Sequence, residues 1–182
     1  MTVTSERGEG TGSLIGDFVE LLQASVNKKG TFVTVSDEIH ILKNYIHLQK
    51  MRYDGHFHVD YEIGKDAGSC FVPRLILQPL VENAIRYGAD RNGIRTVMIC
   101  ACYAKDTYGH KCVHIAVKDN GKGFPKEMLE QFYCGENGNR VGLKNVHERL
   151  KSIYGNESGL LLQNTQEGAC VSFDIPEATH AE

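Results

Sequence analysis

The chain has 182 residues, of which 41% are hydrophobic and 24% charged, and its formal net charge is −3 at pH 7. This length suits one well-buried domain with a helical appendage, and it leaves no room for a second full domain. The ordinary composition excludes a disordered chain, and the slightly acidic balance argues against a nucleic-acid-binding surface.

The sequence shows no membrane or secretory signal. No stretch approaches the roughly 18 apolar residues of a membrane span, and the N-terminal MTVTSERGEGTGS lacks the apolar centre of a signal peptide. The six cysteines form no C-x-x-C pair, which argues against a zinc site. We therefore expect a cytoplasmic domain that makes no membrane contact of its own.

The first third of the chain predicts two helices and a strand. Residues 1–13 are rich in Gly, Ser, Thr and Glu without periodicity, so we expect a frayed leader. Apolar residues then recur at helical spacing in LIGDFVELLQASV. They recur again after Ser36, the predicted N-cap of a second helix that has Asp37 and Glu38 in its first turn and runs to about Arg52. The alternating run FHVDYEI predicts a strand.

The remainder alternates helices and strands. Residues 73–88 predict a helix, in which Pro79 either starts the main segment or kinks it. TVMICACYA and CVHIAVKD predict an antiparallel hairpin, and GLLLQN and ACVSFDI predict the closing strands. Helices are predicted for residues 126–132 and 143–154.

This order of elements indicates the fold class. Helices alternating with mostly antiparallel strands predict an α+β fold, a two-layer sandwich with helices on one face of a sheet. The sequence contains no G-x-x-x-x-G-K-[ST], and no G-x-G-x-x-G that opens a helix after a strand. Neither a P-loop nor a Rossmann fold is therefore predicted.

Three stretches carry the candidate functional residues: LQPLVENAIRYG at 77–88, DNGKGFP at 119–125 and VGLKNVHERL at 141–150. A helical wheel of the first stretch separates an apolar side from a polar side. The apolar side would pack, and the other would carry chemistry. The apolar side holds Leu80, Val81, Ala84, Ile85 and Gly88. The polar side holds Glu82, Asn83, Arg86, Tyr87 and Asp90.

The three stretches resemble the N, G1 and G2 boxes of the ATP-binding domain of sensor histidine kinases, within the GHKL superfamily that includes DNA gyrase. Together with FVTVSDEIHILKNYIHLQKMRYDG ahead of them, they are most similar to the LytS-like branch over roughly residues 15–176. The resemblance implies a Bergerat-type ATP-binding domain at 55–176. It also implies a remnant of the dimerisation region and linker helix at 14–54, and a tail at 177–182.

The resemblance also implies a role for each candidate. Asp119 would accept the adenine amino group, beside a backbone turn formed by Gly121 and Gly123. Asn83 would bind Mg²⁺, and Glu82 would hold a metal-bound water or help deprotonate the acceptor. The nucleotide and its phosphates would contact Arg86, Tyr87, Gly142 and Leu143, with Lys144 and Asn145 as secondary candidates.

The residues alone also fit simpler interpretations. DNGKG has the composition of a plain turn, since Asp, Asn and Gly dominate turns. Arg86 could form a surface ion pair with Glu82 one turn earlier. Tyr87 could simply cover the edge of the helix. The order and spacing of the three stretches favour the nucleotide site.

Two departures from the family pattern bear on function. Arg140 stands where the G2 box usually has its first glycine, so we expect a differently shaped lid in which Arg140 supplies charge to the γ-phosphate. The acceptor motif of the LytS-like branch, which resembles N-P-H-F-L-F-N, does not occur in the sequence. The acceptor histidine is therefore expected on a segment missing from this chain.

The implied function is that of the catalytic domain of a two-component sensor histidine kinase. Such a domain passes the γ-phosphoryl of Mg-ATP to the acceptor helix, and thence to a response regulator. The full-length protein is expected to be a membrane-anchored homodimer. One alternative is a hydrolytic GHKL-type ATPase. Those enzymes resemble E-x-x-x-N at this helix, where the glutamate activates water, and Pro79 stands at the position of that glutamate. The other is a non-catalytic nucleotide-binding module, supported only by Arg140.

Overall fold

The computed structural model describes residues 31–52, 57–90, 92–106, 108–134 and 141–176. Within these ranges, strands and helices alternate as the sequence patterns predict. A short 3-10 turn (Ala67–Ser69) precedes the third strand. In chain order the elements are β1 (Phe32–Thr34), α1 (Val35–Arg52), β2 (Phe57–Ile63), β3 (Phe71–Pro73), α2 (Gln78–Tyr87), β4 (Arg95–Lys105), β5 (Lys111–Asp119), α3 (Lys126–Cys134), α4 (Val141–Tyr154), β6 (Leu161–Asn164) and β7 (Ala169–Pro176).

The main sheet has five strands in the order β2-β4-β5-β7-β6. The β2–β4 pair is parallel, and the other pairs are antiparallel. The predicted β4–β5 hairpin is confirmed. Its register brings Ile99 opposite Val117, while Ile115 lies opposite Phe173 of β7. These buried side chains share one face of the sheet because side chains alternate along a strand.

The hydrophobic core lies between this face and the helices. Leu80 of α2 and Leu150 of α4 are fully buried in the same cluster as Ile99 and Ile115. Leu42 of α1 belongs to the cluster too, so α1 packs as part of the same body. The predicted α+β two-layer sandwich is confirmed.

The start of α1 corrects the prediction of Ser36 as the N-cap. The helix begins at Val35, and Thr34 supplies the cap. The Thr34 hydroxyl accepts the Asp37 N–H at 3.1 Å, and Asp37 Oδ2 accepts the Thr34 N–H at 3.4 Å. This reciprocal pairing is a capping box, in which the third residue after the cap bonds back.

The predicted helix over residues 73–88 is too long. Only Gln78–Tyr87 is helical, whereas Phe71–Pro73 is a strand that pairs with β1. Pro79 lies in the first turn of α2, where a missing N–H costs nothing. Its predicted role as the start of the main segment is therefore confirmed.

Smaller differences occur at the ends of two helices. Helix α3 continues to Cys134, two residues beyond the prediction, and α4 begins at Val141 instead of residue 143. The predicted leader, the helix LIGDFVELLQASV and the tail lie outside the described residues. Among the helices that the structure describes, none is long and apolar enough to cross a lipid bilayer.

Candidate functional site

Helix α2 presents a packed side and a polar side. Leu80, Val81, Ala84 and Ile85 are buried in the core, as the helical wheel predicts. Glu82 and Arg86 are exposed on the polar side. Asn83 differs from the wheel, because its side chain is 8% exposed. It therefore lies in the wall of the domain rather than on open surface.

A cavity of about 310 Å³ separates the polar side of α2 from the first turn of α4. The first N–H groups of an α-helix have no partner within the helix, and the helix dipole places partial positive charge there. The cavity thus joins an anion-attracting helix end to carboxylate and amide oxygens. It is lined by Pro79, Glu82, Asn83, Arg86, Tyr87, Val141, Gly142 and Leu143.

Asp119 ends β5 and is enclosed by glycine backbone. Its Oδ1 accepts the N–H of Gly121 at 2.9 Å and the N–H of Ala169 at 3.3 Å. A Cβ at Gly88 would come 2.6 Å from Asp119 Cβ, and a Cβ at Gly168 would collide with Asp119 O. The carboxylate is therefore fixed between the end of α2 and the start of β7.

The turn after Asp119 is held by Asn164 of β6. Asn164 Oδ1 accepts the N–H of Phe124 at 2.6 Å, and its Nδ2 donates to Phe124 O at 3.0 Å. Gly123 has a φ of 77°, in the left-handed region, and a Cβ there would lie 2.6 Å from Asn164 Oδ1. Only glycine meets both requirements without strain.

Helix α4 is anchored by His147. The N–H of Leu160, just before β6, donates to His147 Nδ1 at 3.0 Å. The Phe132 ring packs edge-on against the imidazole with centroids 5.2 Å apart. Burial lowers the pKa of His147, while the Glu148 carboxylate raises it. The hydrogen bond requires an unprotonated Nδ1, which fits a neutral imidazole.

A larger groove of about 710 Å³ lies beside β5 and β7 and contains none of the predicted site residues. Its polar groups include His114, whose Nδ1 lies 2.7 Å from Asp174 Oδ1. No helix begins among its lining residues. The smaller cavity, which joins carboxylate and amide groups to a helix N-terminus, suits a phosphate-containing ligand better.

Comparison with known proteins agrees with this geometry. Residues 71–179 match the family described as histidine kinase-, DNA gyrase B- and HSP90-like ATPase, which is more than half of the chain. The chain belongs to this ATPase family. Residues 1–57 match a second family, described as histidine kinase.

Curated relatives indicate the branch of the ATPase family to which the chain is most similar. The chain is 34% identical over 148 residues to the sensor histidine kinase YpdA of Escherichia coli (strain K12), covering 79% of this chain and 24% of YpdA. It is 28% identical over 155 residues to the sensor protein LytS of Staphylococcus epidermidis (strain ATCC 12228), covering 82% of this chain and 25% of LytS. The chain thus spans about a quarter of these curated relatives, and the predicted LytS-like resemblance is confirmed.

Solved structures share the fold. The catalytic domain of histidine kinase ThkA has a TM-score of 0.61 at 18% identity, covering 82% of this chain and 97% of that domain. ThkA in complex with the response regulator TrrA has a TM-score of 0.59 at 18% identity, covering 93% of this chain and 49% of that chain. This ATPase-family domain therefore has the fold of a histidine kinase catalytic domain, and its sequence is similar to the corresponding part of sensor histidine kinases.

Within this domain the predicted site residues fall into two groups. Glu82, Asn83, Arg86, Tyr87, Gly142 and Leu143 line the α2–α4 cavity. Asp119 and Gly121 lie beside Gly88, at the end of α2. Gly123 is in the adjoining turn, and Lys144 follows Leu143 on α4 without lining the cavity. Arg140 lies outside the described residues.

Sequence reasoning missed three residues that shape the site. Gly88 was assigned to the packing side of α2, although its lack of a side chain is what admits Asp119. Gly168 and Asn164 were not considered, because they lie more than 40 residues beyond Asp119 in the chain. The position of Gly88 directly after the helix could have indicated its role, whereas no local sequence pattern indicates the roles of Gly168 and Asn164.

Proposed function

We propose that this domain binds Mg-ATP between α2, α4 and the Asp119 turn and transfers the γ-phosphoryl group to a histidine on a segment that this chain does not contain. The observation that supports this most directly is the α2–α4 cavity, where Asn83 and Glu82 face the N-terminal turn of α4. Carboxylate and amide oxygens opposite free helix N–H groups suit a metal-bound polyphosphate.

Asp119 would hold the adenine. Its Oδ1 accepts the N–H groups of Gly121 and Ala169, which fixes the carboxylate in place. A carboxylate oriented in this way accepts an exocyclic amino group well and repels a carbonyl. Gly121 and Gly123 would leave space for the base, and the carboxylate would favour adenine over guanine.

The residues at the cavity fit Mg²⁺. Mg²⁺ prefers oxygen ligands and keeps several of its waters, so one protein amide with phosphate oxygens suffices. Asn83 would supply that amide oxygen, and Glu82 would hold a metal-bound water or help to deprotonate the acceptor. In the described ranges no three His, Cys, Asp or Glu side chains converge on a metal site. A bound Mg²⁺ would neutralise charge on the phosphates.

The remaining cavity residues would bind the phosphates. The first turn of α4, with Gly142 and Leu143, would donate backbone N–H groups, and Arg86 would add charge. Tyr87 would lie against the nucleotide, and Lys144 and Arg140 would be secondary phosphate contacts. Pro79 lines the same cavity and has no basic group to activate water, which favours phosphoryl transfer to a protein over hydrolysis.

The partners follow from the same proposal. ThkA was solved with a response regulator, and we infer that this domain likewise serves a kinase that phosphorylates a response regulator. We further propose that residues 14–54 derive from the dimerisation region and linker of a homodimer and that 55–176 form the catalytic unit. The catalytic domain would lie in the cytoplasm, and the full-length kinase would be anchored in a membrane.

The test is transfer of label. Incubated alone with γ-³²P-ATP, the chain should bind nucleotide yet label itself negligibly, because transfer needs an in-line nucleophile close to the γ-phosphate. Adding a segment that carries the acceptor histidine should produce acid-labile label on that segment. Strong acid-labile labelling of the chain alone would show that one of its own histidines is the acceptor. Steady release of inorganic phosphate without any label would instead support a hydrolytic ATPase.

A further inference from the structure

The short segment between β3 and α2 (residues 74–77) has an unusual backbone. Leu75 has a φ of 57°, the left-handed region, and it is the only non-glycine residue with positive φ in the described ranges. Such a conformation is unfavourable for a residue with a side chain and persists only where the surroundings enforce it. Ile76 and Leu77 in the same segment are fully buried. Something must therefore hold this segment from outside.

Glu38 of α1 makes the enforcing contacts. Its Oε2 accepts the N–H of Leu75 at 2.8 Å, and its Oε1 accepts the N–H of Leu77 at 3.0 Å. Leu77 is the N-cap residue of α2 and offers no side-chain cap of its own. Both carboxylate oxygens of Glu38 are thus committed to the chain that leads directly into the helix of Glu82 and Asn83.

Arg149 of α4 also contacts the same segment. Its Nη1 donates to Arg74 O at 2.7 Å, and its charge attracts the Glu38 carboxylate. Helices α2 and α4 are the two walls of the candidate cavity. The segment is therefore held by one residue from α1 and one from a cavity wall, and it continues into the other wall.

Holding a carboxylate here is costly. Glu38 is only 2% exposed, and burial raises its pKa although the N–H groups of Leu77, Leu75 and Ile76 lower it. A buried anion is rarely the most stabilising choice, and an apolar side chain of similar size often packs as well. A carboxylate, unlike an apolar group, offers two acceptor oxygens that hold the N–H groups of Leu75 and Leu77 in fixed positions.

We propose that Glu38 is a positioning residue of the nucleotide site, which fixes the orientation of α2 and links it to α1. This inference rests on the proposed nucleotide-binding function. It also gives α1 a specific role, because Glu38 lies within the stretch matching the histidine kinase family and its partners lie within the stretch matching the ATPase family. Displacement of α1 would act on the start of α2 through the two hydrogen bonds of Glu38, and α2 carries Asn83.

Glu38→Gln is the direct test, because glutamine has the same shape but only one acceptor atom for the two N–H groups. Its amide nitrogen would face a donor, so we expect Mg-ATP affinity to fall about tenfold. Asp37→Asn is the matched control. Asp37 lies in the same first turn, bonds to Thr34 rather than to the segment before α2, and should leave the affinity unchanged.

Double mutants distinguish an effect of Glu38 on the position of α2 from an effect on the general stability of the fold. If Glu38 acts through α2, the loss caused by Glu38→Gln should largely disappear in an Asn83→Ala background, whereas it should persist in an Asp119→Asn background. A lower unfolding temperature with unchanged Mg-ATP affinity of the folded protein would overturn the proposal. Equal losses in both backgrounds would also overturn it.

Two further controls keep the test decisive. Where Glu38→Gln does not fold, Arg149→Met removes the other contact to the segment and should weaken Mg-ATP binding in the same Asn83-dependent way. An Arg149→Met protein that binds like the parent would contradict the proposal. Failure of the parent chain to bind Mg-ATP would contradict the proposed function itself, which distinguishes the two outcomes.

Discussion

Gly88 and Asp119 are in such close contact that position 88 has no space for a side chain. A Cβ there would lie 2.6 Å from Asp119 Cβ and would also collide with Ala84 O. We expect Gly88→Ala to destabilise the domain by about 1–3 kcal/mol, because the backbone of α2 or β5 must move. Nucleotide affinity should fall with it.

Gly64→Ala provides the control for that substitution. A Cβ at Gly64 would approach Ala101 O only to 3.4 Å, an ordinary contact. Chemical denaturation and calorimetry with ATP measure both effects. An alanine at 88 that unfolds and binds like the parent would show that the space around Asp119 is larger than the structure indicates.

Asp119→Asn should weaken ATP binding by about one to two orders of magnitude, through loss of a charge-assisted bond to the adenine amino group. Asparagine retains an Oδ1 for the N–H groups of Gly121 and Ala169, so the turn should survive. Calorimetry with ATP and GTP measures the effect, and the parent should bind GTP poorly.

Asp106→Asn is the matched control for Asp119. Asp106 Oδ1 also accepts two backbone N–H groups, those of Tyr108 at 2.9 Å and His110 at 2.8 Å, in a turn away from α2. ATP affinity should not change in this variant. Equal affinity of the parent for ATP and GTP would remove Asp119 from the adenine site.

Asn83→Ala should abolish the Mg²⁺ dependence of triphosphate binding and affect adenosine or ADP less, since the proposed metal contact is lost. Titrations with ATP, ADP and adenosine, each with Mg²⁺ and with EDTA, measure this directly. Asn83 is more buried than its place on the polar side predicted, so the unfolding temperature must be measured in parallel. A folded variant with undiminished Mg²⁺ dependence would exclude Asn83 as a ligand.

Stability should fall with acidification because of His147. Its pKa in the fold is below the unfolded value of about 6.5, so at lower pH the unfolded chain binds a proton that the folded chain does not. The stability that the neutral His147 contributes is complete above pH 6.5, and it is lost as the pH falls through the lower pKa that His147 has in the folded protein. Protonation of Nδ1 would also break the bond from Leu160, which contributes about 0.5–1.5 kcal/mol.

Urea denaturation at pH 7.5 and pH 5.5, with the parent and His147→Asn, tests this expectation. Asparagine can present an acceptor near the position of Nδ1 but does not titrate. The variant should therefore lose less stability than the parent between the two pH values. Identical losses in both proteins would assign the pH dependence to other groups.

The fold was largely predictable because periodicity is a local property. The alternation in FHVDYEI and in the two hairpin segments identified β2, β4 and β5 directly. Strand β3 was missed because it has only three residues and ends in Pro73. Its strand character depends on pairing with β1, nearly 40 residues earlier, and no local pattern encodes that pairing.

The candidate site was predictable only as far as the motifs extend. Glu82, Asn83 and Gly142 come from short stretches of sequence, and the structure brings them to one cavity. Glu38 was noted only as an acidic residue in the first turn of a helix, because its partners lie 37 and 39 residues away. Burial and long-range hydrogen bonds decide such roles, and a single sequence does not reveal them.

The glycine enclosure of Asp119 has a thermodynamic consequence. Gly88, Gly121 and Gly168 have no rotamers, so this half of the site loses no side-chain conformational entropy when a ligand arrives. The cavity half is different, because the exposed Glu82, Arg86 and Tyr87 must each be ordered, at roughly 0.5–1.5 kcal/mol for a rotamer-rich side chain. The part of the proposed site around Asp119 is thus rigid, whereas the α2–α4 cavity has adaptable side chains. The entropic cost of binding is therefore concentrated where α2 faces α4.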